Sequence, residues 1–156
     1  MIQATARILQ NTIEIEVGDE RWTASPVVHA TGNVTRKLAA LFATVYEVHH
    51  PREAEEIHST VSYHPKKDEI IIQIGEQKWR TQSSLFGPTT FHYSGISYSI
   101  VEKLTGKFAI LRDAQPMGHG ELGFRTCTLK EYPADLEVFL ANLCLGYLIR
   151  NLFWAQ

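Results

Sequence analysis

Histidines are the side chains in this sequence with the most obvious capacity for chemistry, since the chain contains seven among 156 residues. Neutral imidazole binds divalent transition metals, and carboxylates complete many such sites. Four histidines fall in one polar stretch that also carries three glutamates: His49, His50, His58 and His64. Their spacing matches no established metal-site motif, so scattered surface histidines are the competing interpretation. We therefore predict no metal centre and no cofactor, and these four remain weak metal candidates.

A second group of side chains could line a ligand pocket. His119 lies between two glycines in the run 117–120, which is typical of an exposed turn. His92 and Tyr93 are adjacent, and Tyr98 follows shortly after them. Packing of these rings in the core or at its rim is the alternative. The candidate pocket residues are His92, Tyr93 and His119.

The sequence carries no motif of an established enzyme class. It contains no nucleophile elbow, phosphate-binding loop, zinc-protease helix or dinucleotide fingerprint. This favours a protein that is not an enzyme, and it leaves a small-ligand-binding barrel or an enzyme of another kind as an alternative.

The charge balance argues against bulk electrostatic binding to nucleic acid. Residues 1–78 hold 8 basic and 11 acidic side chains, and residues 79–156 hold 7 and 6, for a net charge of −2. One local group of cations stands out: Lys66, Lys67, Lys78 and Arg80. Anionic lipid headgroups attract nearby Lys and Arg at about 1 kcal/mol each, so these four are the candidate lipid-binding residues. Solvated turn and strand positions are the alternative.

The two cysteines, Cys127 and Cys144, have neither a CxxC spacing nor a disulfide framework. No signal peptide is visible in the first residues. We expect a reducing, cytoplasmic location, with peripheral association at a membrane left open.

Short alternating strands dominate the chain. Residues 12–17 place Ile13, Ile15 and Val17 on one face, and a glycine turn leads to a return strand at 21–24. The run 70–79 repeats this pattern, which indicates either a duplicated hairpin or two similar hairpins without common origin.

Further glycine-containing turns are predicted at 94–95, 105–106 and 117–120, the last preceding a strand at 121–129. Strands of this frequency predict a barrel or a sandwich.

Two segments break the strand pattern. Residues 34–46 have apolar side chains at helical spacing, which predicts a helix, with a strand as the alternative. A second helix is predicted at about 134–154, and between residues 138 and 149 only Asn142 is not apolar or glycine. Such a helix must be enclosed. Its uncharged stretch of twelve residues is shorter than the roughly 20 that span a bilayer, so burial in protein is favoured over membrane insertion or a partner groove.

The run leading into this helix is Tyr132-Pro133-Ala134-Asp135-Leu136-Glu137-Val138. It is similar to a scramblase run of aromatic, Pro, any residue, Asp, Leu, acidic and Val. The apolar segment 139–153 and the hairpin around Thr105-Gly106 also stand where such elements stand in those proteins. Residues 96–156 therefore resemble the tubby C-terminal-like superfamily, which includes phospholipid scramblases and LURP-one-related proteins.

The resemblance implies an α+β fold that is mostly antiparallel β, with a closed β-barrel wrapped around a hydrophobic C-terminal helix. We expect one such domain over 1–156. The implied function is a non-enzymatic module that associates with anionic membrane lipids or protein partners. Scramblases carry acidic residues before this motif, whereas residues 124–130 hold two basic side chains and no carboxylate. Calcium prefers carboxylate oxygens, so calcium binding and scramblase activity are not expected.

Overall fold

The computed structural model describes residues 1–7, 10–27, 44–50, 59–85 and 87–155. These residues form 12 β-strands, a short 3₁₀ turn and one long α-helix. In chain order the strands are β1 (Ile2–Arg7), β2 (Thr12–Val17), β3 (Glu20–Pro26), β4 (Val45–His49), β5 (Ser59–His64), β6 (Glu69–Ile74), β7 (Gln77–Arg80), β8 (Thr89–Tyr93), β9 (Ile96–Glu102), β10 (Lys107–Arg112), β11 (Gln115–Leu122) and β12 (Thr126–Glu131). The 3₁₀ turn Ala134–Leu136 leads directly into helix α1, Glu137–Trp154.

The 12 strands form one antiparallel sheet in the order β7-β6-β5-β4-β3-β2-β1-β12-β11-β10-β9-β8. Sequential hairpins build both halves, and the pairing of β1 with β12 joins them. The two edge strands meet just beyond β7, where Gln82 and Thr90 exchange backbone hydrogen bonds of 2.8 and 2.9 Å. The sheet is therefore a nearly closed barrel, consistent with the tubby-like fold that the resemblance implies.

Alternating strands turn their apolar face to the barrel interior. Ile13, Ile15 and Val17 are at most 3% exposed, while the residues between them face outward. The period of two in strand side-chain direction explains this pattern. The predicted face of β2 is confirmed, as is the mostly antiparallel fold class.

The central helix fills the barrel. Every residue of α1 from Phe139 to Ile149 is buried, which confirms the prediction of a helix that is enclosed on all sides. The apolar segment Ala134–Trp154 is long and apolar enough to cross a membrane by length and composition, and two-thirds of its most apolar window is buried inside the barrel.

A glycine lets the helix approach the barrel wall. A Cβ atom on Gly146 would collide with the Ile70 Cγ2 methyl and lie 3.3 Å from Cγ1 of Val61. Any larger side chain would therefore push α1 away from β5 and β6. At its N-terminal end, α1 is held by aromatic packing, with Phe139 4.7 Å from Tyr93 and 5.5 Å from Trp79 between ring centroids.

Two sequence predictions are corrected here. Val45 and Tyr46, predicted as the end of a helix over 34–46, belong to strand β4, where Tyr46 pairs with Val61 and is buried. Their apolar side chains fit an alternating strand equally well, and pairing with β3 and β5 decides the outcome. Residues 34–43 lie outside the described residues.

The second correction concerns the glycines of 117–120. They lie inside β11, and the turn is at Asp113 and Ala114, both of which have positive φ. A Cβ on Gly118 would stand 2.6 Å from the Glu131 carbonyl oxygen, and the register shifts between His119 and Gly120. Glycine here permits close backbone approach at a bulge, rather than a reversal of the chain. The strand predicted at 121–129 is likewise divided between β11 and β12.

Both predicted hairpins exist with similar turns. β2 and β3 connect through Gly18, and β6 and β7 connect through Gly75, each glycine having a φ of 59°. Whether one hairpin is a copy of the other stays a prediction.

Candidate functional site

The two ends of the barrel carry opposite charge. α1 begins at one end and finishes at the other, so its termini identify them. The first, called the acidic end, comprises the connections 18–19, 75–76, 94–95, 113–114 and 132–136. The second, called the basic end, includes the turns 65–68, 103–106 and 123–125, the described residues of the 81–88 connection (81–85 and 87–88) and the last turn of α1.

The connecting residues show this segregation directly. Among those that the structure describes, the acidic end has four carboxylates and no Lys or Arg: Asp19, Glu76, Asp113 and Asp135. The basic end has four cations and a single carboxylate, Asp68: Lys66, Lys67, Lys103 and Arg125. The described turns of a barrel with a net charge of only −2 are therefore segregated by charge, while the strand ends beside them carry both signs, as exposed Arg21, Arg112 and Lys130 do near the acidic end.

Two turns of the basic end are locked side by side. The Leu122 N–H donates to the Gly106 carbonyl at 2.8 Å, and the amide of Asn151 in α1 donates to the Gly123 carbonyl at 3.1 Å. Gly106 has a φ of 88°, and a Cβ there would stand 2.6 Å from the Leu122 carbonyl oxygen. This position therefore requires glycine, which allows the 103–106 and 123–125 turns to touch.

An ion network ties the end of α1 to the barrel. The Arg150 guanidinium donates to the Asp68 carboxylate at 3.0 Å and to the Glu102 carboxylate at 2.9 Å. Asp68 also accepts from the Tyr63 hydroxyl at 2.7 Å, and Tyr63 in turn accepts from the Trp154 indole at 2.7 Å. The only carboxylate in the described turns of the basic end is thus already paired.

Burial and the pairing of Arg150 and Tyr63 with carboxylates shift the pKa values of both side chains. Burial alone would lower the pKa of Arg150, but the Glu102 and Asp68 carboxylates outweigh it and raise that pKa above its ordinary value. Burial and the hydrogen bond to Asp68 raise the pKa of the Tyr63 hydroxyl. Arg150 is therefore a permanent cation whose charge is balanced within the protein.

A cleft of about 420 Å³ opens beside this network. It lies between α1, strands β8 and β9 and the 81–88 segment. Its polar lining includes Arg150, both carboxylates that it binds, Ser83 and Thr89. Small-molecule pockets often have volumes in this range, and a few placed polar groups give them selectivity.

The structure places the predicted lipid-binding residues on neighbouring elements. Lys66 and Lys67 are exposed in the β5–β6 turn, and Lys78 and Arg80 are exposed on β7. Arg80 is at the basic end, 3.9 Å from the Glu69 carboxylate. Lys78 lies two residues, about 7 Å, farther toward the acidic end. Three of the four therefore gather at the basic end, and their lipid-binding role stays a prediction.

Sequence reasoning missed Lys103 and Arg125. Each is an exposed cation next to an exposed apolar residue, in the pairs Lys103-Leu104 and Phe124-Arg125. Beside Leu104 the available signal was an apolar side chain next to the turn predicted at 105–106, whereas Phe124 and Arg125 fell inside the strand predicted over 121–129 and carried no such signal. The meeting of the two turns depends on sheet order, which the local sequence does not contain.

The predicted pocket residues are distributed over the barrel wall. His92 is exposed on β8 and His119 is exposed on β11, three strand spacings or about 14 Å across the sheet and four residues or about 13 Å along it. Tyr93 is half-buried and packs on Phe139 and Trp79 at the acidic end. No described contact joins these three residues, and their role in ligand binding stays a prediction.

The candidate metal residues lie toward opposite ends of β5. The His50 imidazole is 3.2 Å from the Ser59 hydroxyl and packs at a tilt on the Trp22 ring, whereas His64 is five residues from Ser59 along that strand, about 16 Å away. His49 is exposed beside His50, and His58 lies outside the described residues. Within the described ranges, no three His, Cys, Asp or Glu side chains are grouped to hold a metal ion.

Comparisons with known proteins complete the description of the site. No family model, no curated protein and no solved structure matches this chain.

Proposed function

We propose that this chain is a non-enzymatic, tubby-like module that binds the surface of anionic membranes through its basic end. The observation that carries the proposal is the segregation of charge between the two ends of the barrel. Lys66, Lys67, Lys103 and Arg125 are exposed, and no ion pair with a described carboxylate neutralises them.

The geometry allows a bilayer to attract one end without being repelled by the other. α1 has 18 residues and spans about 27 Å, so the two ends are separated by roughly three Debye lengths at physiological salt. Carboxylates of the acidic end are therefore screened from a membrane that touches the basic end. The small net negative charge does not oppose docking in this orientation.

The electrostatic part of this binding is modest. At about 1 kcal/mol for each Lys or Arg near an anionic surface, four cations contribute about 4 kcal/mol, equivalent to a dissociation constant of about 1 mM. Binding of this strength is weak and depends on salt. Stable attachment to a membrane therefore needs an additional favourable contribution to the binding free energy.

The family assignment is part of the proposal. The Tyr132–Val138 motif forms the connection that enters α1, in which the Tyr132 hydroxyl donates to Glu137 at 2.7 Å. Its position at the mouth of a barrel that encloses a C-terminal helix supports descent from tubby-like proteins. The same resemblance suggests peripheral attachment at a membrane from the cytoplasm.

Co-sedimentation with vesicles tests the function. We expect binding to phosphatidylcholine vesicles that contain phosphatidylserine, loss of binding at high salt, and no binding to pure phosphatidylcholine. The triple variant Lys66→Glu, Lys103→Glu and Arg125→Glu should abolish binding. Its matched control reverses three exposed cations toward the acidic end, Arg21, Arg112 and Lys130, with the same change in net charge.

The control variant should retain at least part of the binding, because its altered residues face away from the membrane. Equal loss in both triple variants would show that net charge alone matters, and an absence of binding to any vesicle would refute the function. Reversal of Lys78 and of Arg80 one at a time measures the contribution of these two originally predicted residues.

The cleft favours a second function, the binding of a small polar molecule between α1 and the barrel. A thermal-shift screen with small alkylammonium ions and carboxylates would test it. A true cleft ligand stabilises the wild-type protein and the outer-wall variant Ser97→Trp, but not Ser84→Trp, which fills the cleft. A ligand that stabilises all three proteins equally binds elsewhere.

A further inference from the structure

The most exposed apolar side chains of this protein gather at one end. Among the described residues, four large hydrophobic side chains are more than 60% exposed: Leu85, Leu104, Phe124 and Trp154. All four belong to the basic end, in three separate connections and the last turn of α1. Isolated apolar residues on a surface are normal, whereas highly exposed ones concentrated at one end of a protein indicate an interaction site.

We propose that Leu104 and Phe124 insert into the interfacial region of an anionic bilayer, with the C-terminal end of α1 nearest the lipid. This inference rests on the proposed function, and it adds apolar burial to the weak electrostatic attraction of the cations. The occupant of the surface is a membrane, because each of these two apolar tips adjoins an exposed cation, Lys103 beside Leu104 and Arg125 beside Phe124.

The pairing of apolar tip and cation repeats in both turns. Leu104 is 110% exposed and follows Lys103, and Phe124 is 74% exposed and precedes Arg125. The Arg125 guanidinium lies 5.0 Å from the centre of the Phe124 ring. With the apolar tips below the headgroups, both cations would stand at the level of the phosphates, as snorkelling basic side chains do at membrane interfaces.

The two tips are already held in position. Backbone hydrogen bonding between Leu122 and Gly106 keeps the turns adjacent, and Asn151 fastens the second turn to α1. Trp154 is anchored through its indole N–H to Tyr63, with 62% of the residue exposed. Trp is enriched at bilayer interfaces, so the place of Trp154 at the same end of the barrel fits this orientation. Little ordering of the turns is then required when they enter the membrane.

Partition of variants into anionic vesicles tests the insertion. We expect Leu104→Ser and Phe124→Ser each to weaken binding about tenfold and the double variant about 100-fold, since both side chains leave water on binding. The matched control is Ile96→Ser with Val138→Ser, which removes two exposed apolar side chains at the acidic end and should leave binding unchanged. Far-UV circular dichroism confirms that all four proteins fold.

Salt distinguishes this inference from the proposed function. For the Leu104→Ser and Phe124→Ser double variant, the remaining binding should show the salt dependence of the wild type, because its cations are intact. If the double variant binds as tightly as the wild type while wild-type binding depends on anionic lipid and salt, insertion is wrong and electrostatic docking stands. If the wild type binds no vesicle, both fail.

A site-specific label gives the depth directly. Cys127 and Cys144 are buried, so a nitroxide can be attached to Thr105→Cys beside Leu104 or to Glu76→Cys at the acidic end. Vesicles should protect the first label from a water-soluble relaxation agent and leave the second accessible. Protection of both labels or neither overturns the orientation. Self-association that is lost in the double variant, without vesicle binding, would assign the surface to a second copy.

Discussion

Arg150, in the last turns of the central helix, donates to the Asp68 carboxylate at 3.0 Å across 82 residues of sequence. The contact fixes the end of α1 to the β5–β6 turn. Asp68 also accepts from Tyr63 and Ser83 and has a φ of 48°, a conformation that Asp and Asn tolerate better than most residues. Substitutions of Asp68 can therefore separate the contributions of its charge, its hydrogen bonds and its backbone conformation to stability.

We expect Asp68→Asn to lower the free energy of unfolding by about 1 kcal/mol and Asp68→Ala by about 2–3 kcal/mol, measured by urea denaturation. The first variant loses charge assistance to Arg150 but keeps an acceptor for Tyr63, whereas the second removes the acceptor of the Tyr63 hydroxyl and leaves Arg150 paired with Glu102 alone. As a control, Glu14→Gln alters the exposed Arg7–Glu14 pair and should change stability by less than about 0.5 kcal/mol. Equal effects of the two Asp68 variants would contradict this account.

The enclosed helix gives a second prediction. Leu145→Asp should prevent folding, because a carboxylate would be buried without a partner at a position that is 0% exposed. Val138→Asp places the same group on the same helix at a position that is 44% exposed, and it should leave the fold intact. Circular dichroism and thermal melting distinguish the outcomes. A folded Leu145→Asp protein in aqueous buffer would refute enclosure of the helix.

Local patterns explain why the strands and the enclosed helix could be predicted, whereas the closed barrel, rather than a sandwich, was implied only by the family resemblance. The alternation of Ile13, Ile15 and Val17 and the all-round apolar character of α1 are properties of short stretches of sequence. The turn predicted at Gly118 is wrong because glycine is equally typical of a chain reversal and of a strand position where another backbone approaches closely. The neighbouring Glu131 carbonyl, 2.6 Å from where a Cβ would be, decides between them only in the folded barrel.

The basic end was only partly visible in the sequence for a related reason. Lys66 and Lys67 are adjacent, so they formed a recognisable cluster. Lys103 and Arg125 come together because β9, β10, β11 and β12 are neighbours in the sheet, and strand order is not a local property. Leu104 and Phe124 beside them are single exposed apolar residues, and only the strand order shows that they lie at the same end of the barrel.

Packing of α1 against the wall gives a third prediction. Gly146→Ala should gain up to about 1 kcal/mol in helix propensity, yet we expect a net loss of stability because the new methyl overlaps the Ile70 side chain. Ile70→Ala leaves a cavity and should cost about 2–5 kcal/mol. The Gly146→Ala, Ile70→Ala double variant should lose less free energy of unfolding than the sum of the two single-variant losses, by about 1 kcal/mol or more. Strict additivity in chemical denaturation would show that the two side chains do not compete for space.

The connection into α1 predicts a specific response to alkali. Burial, the hydrogen bond to Glu137 and the charge of that carboxylate raise the pKa of Tyr132 to about 12. Since this folded-state pKa exceeds the ordinary value of 10.0, the stability contributed by the neutral hydroxyl is complete below pH 10 and is lost as pH rises toward 12. The free energy of unfolding should fall across this window, and Tyr132→Phe should make the fall shallower.

Glu137→Gln should shift the titration of the Tyr132 phenol to lower pH, because the negative charge is removed. This titration is followed by the difference in ultraviolet absorbance between each protein and its Tyr132→Phe counterpart. A Tyr132 titration that does not respond to Glu137→Gln would show that the charge of Glu137 has no part in the raised pKa.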